Sequence, residues 1–151
     1  MTTGIGPDDG ADRYVVVQRK SVLFPEVVAA SYRLHDLPIW NGRDAVDPAS
    51  LSAAVEDAVL RTAFFCGEEL NATLDRLLAA ARARVEITRD IHASSRPAFG
   101  GRVHEDFRVD DESGRRELRR AVTAFADAAR ADLRISGTWG VRWPVGEFGA
   151  S

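Results

Sequence analysis

The sequence predicts an all-α fold, an antiparallel four-helix bundle, from three observations. Apolar residues recur at steps of three and four along separate stretches of the chain, which is the spacing of helices with one buried face. Acidic residues or proline stand before most of these stretches and glycine follows several of them, as at helix ends. The 151 residues are 45% apolar and 28% charged, a composition typical of one globular domain with a continuous core.

The first predicted element is a kinked helix from about Asp12 to His35. Residues 14–18 hold three consecutive valines, and β-branched residues favour a strand, which is the alternative for this segment. Pro25 would break or kink a helix running through it. A helix confined to residues 26–36 would be only ~16 Å long, too short to cover its neighbours. Because no strand partner is evident, the longer kinked helix is the better interpretation.

The second predicted helix begins at Asp47-Pro48 and stops at Gly67. An aspartate can accept hydrogen bonds from the first free N–H groups, and a proline at the first helical position loses no donor that the helix needs. The steps of three and four give this helix one apolar face. That face holds Leu51, Val55, Ala58, Thr62 and Phe65.

The third predicted helix begins with Glu68 and Glu69 and ends between Thr88 and Ile91. Carboxylates in the first turn complement the positive end of the helix dipole. Its apolar face holds Leu70, Leu74, Leu77, Leu78, Ala81 and Val85. Short connections between helices favour antiparallel neighbours.

The fourth predicted helix opens at the acidic group Asp110-Asp111-Glu112 or at Ser113, and Gly137 terminates it. Glycine is the residue that helices most often use just past their C-terminus. The buried face is predicted to hold Leu118, Val122, Phe125, Ala129 and Leu133.

The predicted organisation is therefore a flexible N-terminus (1–12), a helical bundle (13–136) and an extended aromatic tail (137–151). A long loop from His92 to Val109 joins the third and fourth helices. Val103, Glu105, Phe107 and Val109 stand at alternate positions, which indicates a short extended segment laid over the bundle. A loop of this length is typically functional or disordered, although plain packing over one bundle end is the simpler interpretation.

The tail supplies the preferred functional hypothesis, which is a non-enzymatic interaction or adaptor protein. It contains Trp139, Trp143 and Phe148, while its glycines and Pro144 oppose a helix. Large aromatic residues either fold back onto the core or anchor an interface. Trp139, Trp143 and Phe148 are therefore the predicted partner-binding residues, for a protein partner or for self-association.

A nucleic-acid-binding regulator is the first alternative. Arg115, Arg116, Arg119 and Arg120 recur at helical spacing and could contact phosphates. Acidic neighbours such as Asp111, Glu112 and Glu117 can pair with them, so a solvated charged face is the simpler interpretation. The net charge of −3 supplies no long-range attraction for nucleic acid or an anionic bilayer.

A small enzyme with a site in the His92–Asp106 loop is the second alternative. Cys66 lies before a helix N-terminus, which can lower the pKa of a thiol, but Glu68 and Glu69 oppose this effect. His35, His92 and His104, with Asp90, Glu105 and Asp106, lack the spacing of zinc sites. No phosphate-binding or nucleophile-elbow motif is present, so the sequence predicts no catalytic residue, metal or cofactor.

The predicted location is the cytoplasm. A single cysteine, Cys66, excludes an intramolecular disulfide and suits a reducing compartment. The first ten residues lack the basic and apolar regions of a secretory signal, and no apolar run is long enough to span a membrane.

Two segments, Leu60–Val85 and the run Ala124–Leu133 (AFADAARADL), resemble helices in uncharacterised small four-helix proteins of GC-rich bacteria and their phages. The shared feature is alanine-rich amphipathic patterning. The resemblance implies a four-helix fold, and it carries no activity and no functional residue across to this chain.

Overall fold

A computed structural model describes three stretches of the chain, residues 7–37, 48–94 and 105–137. Every element within these stretches is helical and no strand occurs in them, which confirms the predicted all-α fold. The helices are α1 (Pro7–His35), α2 (Pro48–Ala63), α3 (Glu68–Ser94) and α4 (Glu105–Asp132).

The helices form an antiparallel bundle in which each packs against the next and α1 also packs against α4. At one end, Lys20 Nζ of α1 lies 2.8 Å from Asp132 Oδ2 at the last residue of α4. At the other end, Arg115 Nη2 near the start of α4 donates to the Leu37 carbonyl oxygen just after α1, at 2.8 Å. These two contacts fix opposite directions for α1 and α4, as predicted.

The core runs along the centre of the bundle and takes residues from all four helices. Phe24 of α1 and Phe125 of α4 meet edge to face, with ring centroids 5.6 Å apart. Burying a side chain of this kind contributes roughly 1.5–3 kcal/mol. The predicted inner faces of α2, α3 and α4 are confirmed by the buried residues Val55, Ala58, Thr62, Leu70, Leu74, Leu77, Ala81, Val85, Leu118, Val122, Phe125 and Ala129. Leu51, Leu78 and Leu133 are half-buried against this core. The prediction is wrong at Phe65, because α2 ends at Ala63 rather than at Gly67 and Phe65 lies half-buried in the turn that follows.

The first helix runs through Pro25, as predicted, and differs from its prediction in where it begins, at Pro7 rather than near Asp12. The strand alternative for residues 14–18 is wrong, since they lie within α1. Pro25 is exposed, so water can bond the carbonyl that loses its N–H partner.

The helices on either side of the long loop extend further into it than predicted. Helix α3 continues to Ser94 and α4 begins at Glu105, which reduces the connection to residues 95–104, outside the described residues. The predicted extended segment is wrong at Glu105, Phe107 and Val109, which are helical. The physical reason is that Asp111 and Gly114 are buried on the inner face of α4. Phe107 continues this face at helical spacing.

Across the part of the chain that the structure describes, no helix combines the length and the apolar character needed to cross a bilayer.

Candidate interaction groove

An apolar groove of about 460 Å³ lies between α1 and α4. The Phe24 and Phe125 rings that meet edge to face both contribute to its lining. Its volume lies within the range of about 300–1,000 Å³ that is usual for ligand pockets. The lining residues are Ser21, Phe24, Pro25, Val28, Ala29, Tyr32, Phe125, Ala126, Ala129, Arg130, Leu133 and Ile135.

The α1 side of the groove continues beyond the groove toward the N-terminus of the helix. Ser21, Pro25, Val28 and Tyr32 recur at steps of four, three and four, and Val17 and Tyr14 extend this series at steps of four and three. Residues at these steps share one helix face. Tyr14 is 64% exposed and Val17 is 49% exposed, so this face carries apolar surface open to solvent.

A left-handed turn ends α4 beside the groove. Arg134 has φ 58°, the Ile135 N–H donates to the Arg130 carbonyl at 2.8 Å, and the Arg134 N–H donates to the Ala131 carbonyl at 3.0 Å. This pair of hydrogen bonds is the Schellman arrangement, with an arginine where glycine is usual. The prediction that Gly137 terminates the helix is therefore wrong by three residues, because the local backbone bonds close the helix at Arg134.

The chain that follows α4 is held against the groove. Ile135 lines the groove, as does Arg130, and Arg130 Nη2 donates to the Ser136 carbonyl oxygen at 3.1 Å. Gly137 has φ 86°, a left-handed conformation that a residue with a Cβ adopts only with strain. The predicted contact residues Trp139, Trp143 and Phe148 follow directly and lie outside the described residues.

A buried ionic cluster occupies the opposite end of the bundle. The Arg84 side chain is fully buried and donates to Asp111 Oδ1 and to the Leu34 and Leu37 carbonyl oxygens, each at 2.8 Å. Arg115 Nε donates to Asp111 Oδ2 at 2.9 Å. The cluster thus ties α3 and α4 to the end of α1.

Helices α3 and α4 pack closely at Arg84. A Cβ placed on Gly114 would lie 3.1 Å from Ile87 Cδ1 and 3.9 Å from the Arg84 Cα, so glycine lets α3 and α4 approach at this point. Burial lowers the pKa of Arg84, and the neighbouring Asp111 opposes this shift. The guanidinium stays charged at neutral pH, with its donors directed at oxygens of α1 and α4.

The sequence analysis did not predict this cluster, although its residues stand at the helical spacing of the buried faces. Leu77, Ala81, Arg84, Thr88 and Ile91 recur at steps of four, three, four and three, and all five are buried. An arginine at an apolar-face position marks a candidate buried charge. Likewise, Asp111 and Gly114 precede Leu118 at seven and four residues on the inner face of α4.

The four arginines of the nucleic-acid alternative do not form one free stripe. Arg115 turns inward to Asp111, while Arg119 lies 3.4 Å from Glu112 and Arg120 lies 3.1 Å from Glu117. Arg116 is exposed. The predicted pairing with Asp111, Glu112 and Glu117 is confirmed, and it reduces the positive field that the arginines offer to phosphates.

Cys66 is half-buried in the turn between α2 and α3. Burial raises the pKa of its thiol, Lys20 opposes the shift, and Asp132 adds to it. The thiolate, which is the nucleophilic form, is therefore disfavoured rather than promoted. The geometry gives no support to a reactive role for this cysteine.

The histidines and acidic residues of the second alternative are not brought together among the described residues. His35 is fully buried in the last turn of α1, with Nδ1 2.9 Å from Asp36 Oδ1. His92 and Asp90 lie in α3, Glu105 and Asp106 begin α4, and His104 lies outside the described residues. Within those residues, no group of three or more histidine, cysteine or acidic side chains could hold a metal ion.

Comparison with known proteins adds nothing to this assignment, since no family model, no curated protein and no solved structure matches the chain. The class of protein that the geometry defines is an antiparallel four-helix bundle with an apolar groove at one end and a buried ionic cluster at the other.

Proposed function

We propose that this protein is a non-enzymatic helical interaction or adaptor protein. Its contact is the C-terminal aromatic segment with Trp139, Trp143 and Phe148, which binds a protein partner or a second copy of the chain. The observation that carries the proposal is the apolar α1–α4 groove, which lies where this segment leaves the bundle. Interface anchors are typically aromatic side chains that fill apolar pockets.

The exposed surface at the same end of the bundle supports the proposal. Tyr14 and Val17, which share the groove face of α1, are each about half exposed or more, and Ile135 is 43% exposed. Apolar side chains gathered beside an apolar groove are typical of interaction sites. Cytoplasmic location belongs to the same proposal, because the single cysteine, Cys66, needs no oxidising compartment.

The test is light scattering after size exclusion, up to concentrations on the order of 1 mM, where contacts in trans compete with a tethered segment. The variant is the full chain with Trp139, Trp143 and Phe148 all changed to serine. We expect the natural chain to gain mass with concentration and the variant to stay monomeric, with the same helical circular dichroism. The matched control is Phe64→Ser, which removes an aromatic side chain that is 84% exposed in the α2–α3 turn, and it should associate normally.

A truncation after Ser136 extends the test. If the truncated chain keeps its helical circular dichroism and stays monomeric while the full chain associates, the segment is an interface. Loss of the helical signal on truncation would instead assign the segment to the core. A full-length chain that remains monomeric throughout would overturn the proposal of self-association.

The nucleic-acid alternative stays a prediction with its own test. Contacts from Arg115 to Arg120 with phosphates would give binding that weakens steeply with salt. Absence of binding to duplex or single-stranded nucleic acid at low ionic strength would remove it.

A further inference from the structure

We propose that the α1–α4 groove is the docking site of the chain's own C-terminal segment, residues 138–151, with Trp139 and Trp143 as the anchors. This inference rests on the proposed function and adds its regulation, since docking in cis competes with any partner for the same aromatic residues.

The first argument is where the segment starts. The backbone at Ser136 is held by Arg130, and Ile135 already lines the groove. Trp139 is only two residues beyond Gly137 and so lies within ~7 Å of it along the chain. The first anchor therefore reaches the groove without a loop that must be closed at a cost in entropy.

The second argument is the match between the segment and the groove. Trp139, Val141, Trp143 and Val145 stand at alternate positions, and alternate residues of an extended chain share one side. In an extended chain the two anchors Trp139 and Trp143 are ~13 Å apart. The α1 wall from Ser21 to Tyr32 spans ~16 Å, so both anchors fit within the length of the groove.

The third argument is the chemistry of the lining. Ser21 and Arg130 are the polar lining residues, and the others are apolar or aromatic. Such a groove offers few directional hydrogen bonds, so it suits indole and valine side chains. Tethering places the segment at an effective concentration on the order of 1 mM. Even an intrinsic dissociation constant of ~100 μM would then leave about 90% of the molecules closed.

The experiment measures tryptophan fluorescence and acrylamide quenching in the full chain with Trp40→Phe, which leaves Trp139 and Trp143 as the reporters. We expect blue-shifted emission and weak quenching. Adding Ala29→Arg places a charged side chain on the exposed α1 wall of the groove. We expect this change to red-shift the emission and raise the quenching constant about threefold as the indoles enter water.

The matched control is Ala79→Arg, the same change at an exposed position of α3 that does not line the groove. It should leave emission and quenching unchanged. Ser21→Arg, another exposed lining position, is the second groove variant if Ala29→Arg lowers the helical circular dichroism.

Concentration separates docking in cis from docking in trans. Across about a hundredfold dilution in the micromolar range, far below the effective concentration, intramolecular docking leaves the fluorescence constant. Emission typical of water-exposed indole in the unmodified groove would overturn the inference. So would quenching that rises on dilution, because the occupant would then be the segment of another copy. Failure of the proposed self-association would show separately, as an absence of association at high concentration in the scattering experiment.

Discussion

At the scale of single residues, the main finding is a charge placed in the core. Arg84 is 0% exposed, and it directs its donors at two backbone carbonyls and at Asp111. A buried guanidinium is tolerated only when its donors are met and its charge is balanced. Asp111 also binds Arg115, so this one carboxylate forms ion pairs with two arginines.

Removing that carboxylate should therefore be costly. Asp111→Ala leaves Arg84 buried without its counter-charge, and we expect the free energy of unfolding to fall by about 3–5 kcal/mol in urea titrations. The control on the same helix is Glu117→Ala, whose partner Arg120 is exposed, and it should cost less than ~1 kcal/mol. Equal stability of the two variants would contradict the structural role of the cluster.

His35 should make stability depend on pH. Burial lowers the pKa of His35 below its ordinary value of 6.5, the hydrogen bond and charge of Asp36 oppose this shift, and the positive charges of Arg115 and Arg84 add to it. As the pH falls below 6.5 the unfolded chain takes up its proton first, so the free energy of unfolding decreases. The decrease stops once the pH is below the pKa of the folded protein.

The measurement compares urea unfolding at about pH 7 and about pH 5 in the natural chain and in His35→Gln. We expect the free energy of unfolding to decrease less in the variant, because glutamine does not titrate and the other titratable groups are the same in both proteins. An identical decrease in both proteins would show that His35 does not contribute.

At the scale of elements, the end of α4 differs from the usual helix end. Arg134 occupies the left-handed position with φ 58°, at which glycine carries no steric penalty. The bonds from Ile135 and Arg134 to the last turn keep this conformation in place. The same turn delivers Ile135 to the groove, so the helix end and the proposed interaction surface form one local structure.

Replacing this arginine by glycine should stabilise the protein. We expect Arg134→Gly to raise the free energy of unfolding by about 1 kcal/mol, because it removes the left-handed penalty on a residue with a Cβ. The matched control is Arg116→Gly, at an exposed position inside α4, which should lower it by about 1 kcal/mol. Thermal unfolding followed by circular dichroism checks both, and a loss of stability in Arg134→Gly would contradict the assigned cap.

At the scale of the whole molecule, the two ends of the bundle differ. One end is held by Arg84, Asp111 and Arg115. At the other end, α1 continues past Lys20, its ion-pair contact with the last residue of α4. Residues 10–15 there are exposed. Stability is therefore expected to be uneven along α1.

Hydrogen exchange measures this difference directly. We expect the amides of residues 10–19 to exchange at least ~100-fold faster than those of residues 27–34, where Val27, Ser31 and Leu34 are fully buried. Residues 74–81 of α3, with Leu74, Leu77 and Ala81 in the core, provide the protected reference. Equal protection of the amides along the whole of α1 would contradict this expectation, because the first half of the helix would then also be shielded from water.

The sequence by itself determined the all-α class, the inner faces of α2, α3 and α4 and the order of the helices. These follow from apolar spacing and from residues at helix ends, both of which are local properties. The tertiary structure alone decided that Arg84 and Asp111 lie inside, because Arg84 donates to Asp111 and to the carbonyl groups of Leu34 and Leu37, all of them distant in sequence. It also decided the groove, since the shape between α1 and α4 depends on how two helix faces meet, which neither helix specifies alone.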